Sequence, residues 1–210
     1  MKCKYLKRGS IGFLLLLMSA CGGGNLGVNP PPSDPVKAQG KIDAAWKEYE
    51  SARYYKAITL FNEARVLDSS LLDIYNGLGW SHFKIHDLLT SLQNFSTAFS
   101  KDSSMTEAMV GYGVSAFEKM EYTKAIKVLT TITRKDSLKF NLVGTDEFVF
   151  KHDPSVTSRK VRKILALSYF YSGRFTEAYI QLKQYLDPGT RVVPESDTFV
   201  KDLLIALKSV

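Results

Sequence analysis

Cysteine is nearly missing from this chain, and both cysteines, Cys3 and Cys21, lie at one end. That excludes a disulfide-built domain and a thiolate metal site in the body. Proline is absent between Val36 and Asp153, which leaves a long stretch open to helices. Acidic residues are absent from the first twenty positions, where Lys2, Lys4, Lys7 and Arg8 stand. Four of the net +7 charges therefore go with that segment, and the rest is close to balance. A basic, nucleic-acid-binding body is not implied. No apolar run approaches the roughly 18 residues of a membrane-crossing helix. What remains is ordinary globular material, 45% apolar over 210 residues, enough for one domain with a real core or two small ones.

The first twenty residues read as an address. A basic start is followed by the short apolar run Ile11 to Met18, then by small Ser19 and Ala20. This is the order of a secretory signal over residues 1–20. Leu17-Met18-Ser19-Ala20-Cys21 also resembles the lipobox of bacterial lipoproteins. The resemblance implies lipidation of Cys21 and membrane attachment through acyl chains, each buried methylene contributing about 0.8 kcal/mol. It places the protein at the bacterial cell envelope, on the periplasmic side. Gly22 after the cysteine, rather than Asp, favours the outer membrane over the inner. Residues 21–37, with Gly22-Gly23-Gly24 and Pro30, Pro31, Pro32 and Pro35, read as a flexible and then stiffer tether.

The body repeats every 34 residues. Ala57, Ser91 and Ala125 align, as do Phe61, Phe95 and Leu129, then Tyr54, Leu88 and Tyr122. Ala45, Gly79 and Gly113 form a small-residue column, and Gly77 finds Gly111. Asp68-Ser69, Asp102-Ser103 and Asp136-Ser137 recur at the same spacing. Each unit reads as two helices in which small residues admit a neighbour and an aromatic fills the gap. Ser70 with Asp73, and Ser104 with Glu107, suggest a capping box at the next helix start.

These positions resemble the tetratricopeptide repeat, continuously over residues 38–137. The resemblance implies an all-α fold, an α-solenoid of about four helix–turn–helix repeats. The proline that the family carries after the second helix is replaced by Ser69, Ser103 and Ser137. A fourth unit, residues 159–190, is displaced by an insertion at 138–158. Two Phe- and Val-rich runs around Gly144-Thr145-Asp146-Glu147 make that insertion a β-hairpin or an irregular loop. Phe199, Leu203 and Leu207 mark a final amphipathic helix at 195–210, a candidate cap.

In this family the first helices line a concave groove that takes protein segments. The columns that the resemblance places there are Trp46 and Trp80, continued by Val114 and Leu167, and Tyr49, Phe83, Phe117 and Phe170. They either face a groove or pack between repeats. Lys160 and Lys163 lie in a basic cluster, Arg159 to Lys163, at the start of the fourth unit, where an acidic segment or headgroup could sit.

Catalytic signatures are not found. His82 and His86 share metalloprotease spacing, but Phe83 stands where glutamate is needed. The dinucleotide-like Gly111-Tyr112-Gly113-Val114-Ser115-Ala116 falls inside a repeat helix, not after a strand. The expectation is a protein that binds a protein partner as a scaffold or assembly factor, with no catalysis, cofactor, metal or nucleic acid. Two rivals stand beside it. One is a binding protein for an envelope polymer or small ligand. The other is a non-catalytic subunit of an envelope enzyme complex.

Overall fold

The computed structural model describes residues 33–134, 150–183, 186 and 192–209. The signal, Cys21, most of the tether and most of the insertion, including its 144–147 turn, lie outside the described residues. Among the described residues the secondary structure is helical, without strands. The helices are α1 (Pro35–Glu50), α2 (Tyr54–Leu67), α3 (Asp73–Lys84), α4 (Leu88–Lys101), α5 (Thr106–Glu118), α6 (Tyr122–Arg134), α7 (Ser158–Tyr171), α8 (Phe175–Leu182) and α9 (Phe199–Ser209).

The first helix starts earlier than the repeat boundary at 38. Pro35 opens α1, and Asp34 caps it by accepting the Lys37 N–H at 3.0 Å. Proline suits that position because its fixed φ is helical and its missing N–H would be unpaired there anyway. The last proline of the tether is thus already helix.

Helices pair within repeats as α1–α2, α3–α4, α5–α6 and α7–α8, and each pair stacks on the next. The four turns within pairs share one backbone device. Ala52, His86, Met120 and Gly173 take φ of 58°, 61°, 62° and 74°. Each is followed by a residue whose N–H reaches back five positions: Arg53 to Glu48, Asp87 to His82, Glu121 to Ala116, Arg174 to Tyr169. This is the Schellman closure, and only Gly173 adopts its left-handed link without a Cβ penalty.

Turns between pairs use a different device, and the capping boxes are not formed. Asp68 Oδ1 accepts the N–H and hydroxyl of Ser70, at 2.9 and 2.6 Å. Asp102 does the same for Ser104, at 2.8 and 2.6 Å. Asp73 and Glu107 instead bond side chains of neighbouring helices, Trp46 and Asn76. A carboxylate two residues before a serine offers a nearer acceptor than a helix-cap geometry, so the Asx turn wins.

Aromatic-on-glycine interlock joins the repeats. A Cβ on Gly77 would lie 2.0 Å from the Phe61 ring, and on Gly111 2.2 Å from the Phe95 ring. Phe61 and Phe95 are fully buried. Each ring of a second helix therefore occupies space that the next repeat leaves empty. The glycines of the dinucleotide-like motif are explained this way, with Gly113 making room for Leu129. At the far end α9 buries Phe199, Leu203, Ala206 and Leu207, packing on α7 and α8.

First helices also touch one another along the stack, α1 with α3, α3 with α5 and α5 with α7, whereas α2, α4 and α6 do not. A stack whose members meet on one side and spread on the other curves toward the side of contact. The inner face of the solenoid is therefore made by α1, α3, α5 and α7.

Candidate recognition surface on the inner face

The eight aromatic and basic candidates separate into three places. Trp46, Tyr49 and Trp80 are buried in one cluster, with exposures of 4%, 3% and 0%. Phe83 borders it, edge-on to Trp80 at 5.9 Å. Phe117 and Phe170 form a second cluster at the turns of the third and fourth repeats, around Tyr122, Tyr171 and Phe175. Lys160 and Lys163 lie elsewhere, on the opening turns of α7.

The column Tyr49, Phe83, Phe117 and Phe170 has a local task. Each of these residues offers its carbonyl to the left-handed turn residue three positions on. Three of the rings also pack on the first residue of the second helix, Tyr49 on Tyr54, Phe117 on Tyr122 and Phe170 on Phe175, at 5.4, 5.8 and 5.2 Å. These aromatics staple the turn inside each repeat. The tryptophan column faces inward, and there it meets the inserted segment.

Residues 150–156 form a tight turn over α1 and α3. Asp153 N–H donates to the Phe150 carbonyl at 3.2 Å, Val156 N–H to that of Asp153 at 2.9 Å, and Phe150 N–H to that of Val156 at 3.0 Å. Phe150 is fully buried, stacked on Trp80 with centroids 4.5 Å apart and planes at 21°. It meets Trp46 edge-on at 6.0 Å and Tyr49 at 6.4 Å. The His152 ring lies flat on Trp46 at 3.8 Å and 3°. Its Nδ1 is 2.7 Å from Glu50 Oε1. Asp153 Oδ2 accepts from the Lys84 ammonium at 2.5 Å.

Electrostatics follow from this packing. Burial opposes ionisation of Asp153, but the Lys84 ammonium and the Ser155 hydroxyl outweigh it, and the carboxyl is held below its ordinary range. Burial, then the nearby Asp153 charge, pushes the Tyr49 phenol upward. Glu48, bonded first by Arg53 and then by Lys56, is lowered to about 2.

Two clefts flank the turn. One, of about 300 Å³, is bordered by Asp43, Trp46, Glu50, Asp73 and His152. Its carboxylates are engaged: Asp43 accepts from Gln39, Asp73 accepts the Trp46 indole N–H at 2.9 Å, and Glu50 meets His152. The other, of about 410 Å³, lies between α5 and α7, lined by Glu118, Lys160, Lys163, Ile164 and Leu167. Lys160 is exposed and Lys163 half-buried, so this half of the inner face is open and basic. His82 and His86 do not converge: His82 Nδ1 sits 3.1 Å from Asp87, and His86 occupies a left-handed turn. Among the described residues no group of three His, Cys, Asp or Glu side chains is placed to hold a metal, and no helix is long and apolar enough to cross a membrane.

Phe150 and Asp153 belong to no repeat column, and nothing periodic marks them as site residues. One signal does exist for the second. Asp153-Pro154-Ser155 repeats the Asp-x-Ser of the earlier inter-repeat turns, with the same bonds to Ser155 at 3.1 and 2.6 Å. The 150–156 turn is therefore also the entry to the fourth repeat.

No protein-family model and no curated protein matches the chain. Solved structures do. One, MamA AMB-1, aligns with a TM-score of 0.58 over 84% of this chain and 84% of that one, at 16% identity. Another, MamA MSR-1, aligns with a TM-score of 0.58 over 83% of this chain and 87% of that one, at 15% identity. The fold is a tetratricopeptide-like α-solenoid. At this identity the likeness establishes architecture, and function has to be argued from the surface itself.

Proposed function

We propose that this chain is a lipid-anchored periplasmic module for protein–protein interaction, serving as a scaffold or assembly factor at the bacterial cell envelope without chemistry of its own. The observation that carries the reading is the inner face. Trp46 and Trp80 seat a turn of peptide through an aromatic anchor, and the neighbouring cleft around Lys160 and Lys163 stays open. A surface that binds its own peptide in this way has the aromatic centre and charged rim of a protein-recognition site. The lipobox-like Leu17 to Cys21 supports the anchor, and the Gly- and Pro-rich residues that follow support a body held off the lipid surface.

The test is crosslinking in cells, with a photoreactive residue in place of Phe83. One dominant protein adduct, lost when the probe moves to Tyr55 on α2, is the expected result. No adduct from a folded, membrane-attached protein would remove the interaction reading. Cys21→Ala should abolish fatty-acid labelling and membrane association. Labelling that persists would remove the anchor.

A further inference from the structure

The 150–156 turn is held to the inner face in an unusual way for a connection. Its backbone hydrogen bonds close on the turn itself, and among the described residues none runs from it to α1 or α3. Phe150 between the tryptophans, His152 on Trp46 and Glu50, and Asp153 on Lys84 make the attachment, with Val156 buried in the same core. Lys151, Pro154 and Ser155 between them are exposed. A buried aromatic anchor flanked by a lysine–carboxylate ion pair and a histidine–carboxylate contact, with exposed residues between them, is how a short peptide engages a groove. Among the described residues no sheet ladder or helix pairing joins it to α1 or α3.

The fit also leaves something unsatisfied. Among the described residues the buried Tyr49 Oη and Trp80 Nε1 meet no hydrogen-bond partner. A buried donor without an acceptor is a cost that an occupant with a better-placed oxygen would remove. The turn fills the face without meeting all its polar groups.

We propose that the α1–α3 half of the inner face is a recognition site for a segment of a partner protein that carries an aromatic side chain followed, three residues on, by a carboxylate, and that residues 150–156 hold this site closed in cis. The aromatic takes the place of Phe150 between Trp46 and Trp80. The carboxylate takes the Lys84 ammonium from Asp153. This rests on the reading of the chain as an interaction module, and adds the partner's chemistry and a gate. The gate acts through tethering: a linked segment is present at an effective concentration on the order of mM, so only a segment of better fit displaces it. Apparent affinity is lowered by the fraction of molecules that are closed. Displacement leaves the turn intact, because Asp153 Oδ1 stays bonded to Ser155.

The experiment uses a fluorescein-labelled peptide of the sequence Val-Phe-Lys-His-Asp-Pro-Ser-Val, read by anisotropy against the purified full-length chain. The Phe150→Ala/Asp153→Ala variant, with its gate released, should bind at least about tenfold more tightly than the wild type. Peptides with alanine for Phe or asparagine for Asp should lose most of that binding. If the released variant keeps its helical circular dichroism yet binds no better than wild type, the turn is a structural wedge and the proposal fails. A second variant guards against misfolding. Lys84→Glu leaves the rings in place, and should prefer a peptide with lysine in place of aspartate over the original. Equal binding of the two would overturn the assignment of the carboxylate. A wild-type chain that dimerises at micromolar concentration, and loses the dimer on Phe150→Ala, would make a second copy's turn the occupant and overturn the partner. The peptide assay needs no cellular partner. A positive result with no crosslink in cells would sink the functional reading alone, and the reverse would sink only this one.

Discussion

At the scale of single residues, the left-handed turns carry avoidable strain. Met120 holds φ of 62° and is 74% exposed, so its Cβ adds strain and its thioether adds little packing. Met120→Gly should therefore stabilise the protein by about 1 kcal/mol, the size of the left-handed penalty it removes. A rise in the urea midpoint at unchanged slope is the expected reading, and a fall would mean that Met120 packs in solution. Asp153 supplies the pH dependence. Its carboxyl is depressed in the fold, so the Lys84 contact contributes above the ordinary carboxylate range and is lost as pH falls through the lowered value. Acidification below about pH 4 should loosen the turn and admit a quencher to Trp46 and Trp80. Asp153→Asn should show that access at neutral pH, and a wild-type profile flat through the acid range would contradict the assignment.

At the scale of helices, the same substitution has opposite signs in two places. Gly40 in α1 is exposed and has no atom within 4 Å of a built Cβ. Gly40→Ala should gain about 1 kcal/mol through helix propensity. Gly111→Ala would drive a methyl into the buried Phe95 ring and should lose about 1–3 kcal/mol by overpacking. Chemical denaturation of the two variants side by side separates the effects, and similar values would deny the interlock. These small and large positions are legible in the amino-acid sequence, because both partners recur at one period. The capping boxes are not, since Ser70 and Ser104 are donors to an earlier aspartate rather than caps. Local spacing alone does not rank those two bonds. The aromatic columns are equally ambiguous. Tyr49 and Trp46 are neighbours on one helix, yet one staples a turn and the other faces inward, and only the packing of α2 and the inserted turn separates them.

At the scale of the whole molecule, stability should be distributed along the stack. In a solenoid each pair contacts chiefly its neighbours, so an end can loosen while the rest holds. Ending the chain before α9 uncovers the surface that buries Phe199, Leu203 and Leu207. Amide exchange should then speed up in α7 and α8 while α1 to α4 keep their protection. Uniform acceleration would show a single cooperative block instead. The sequence by itself determined the helical class, the 34-residue unit, the out-of-phase fourth repeat and the final helix. Those follow from local propensity and from a period that any alignment of the chain with itself exposes. The tertiary structure alone decided that Phe150 fills the inner face. That contact joins positions such as His152 and Glu50, 102 residues apart, with no periodic partner to announce it. Period and propensity describe what recurs, whereas a turn that folds back onto distant helices occurs once and is set by shape and charge in three dimensions.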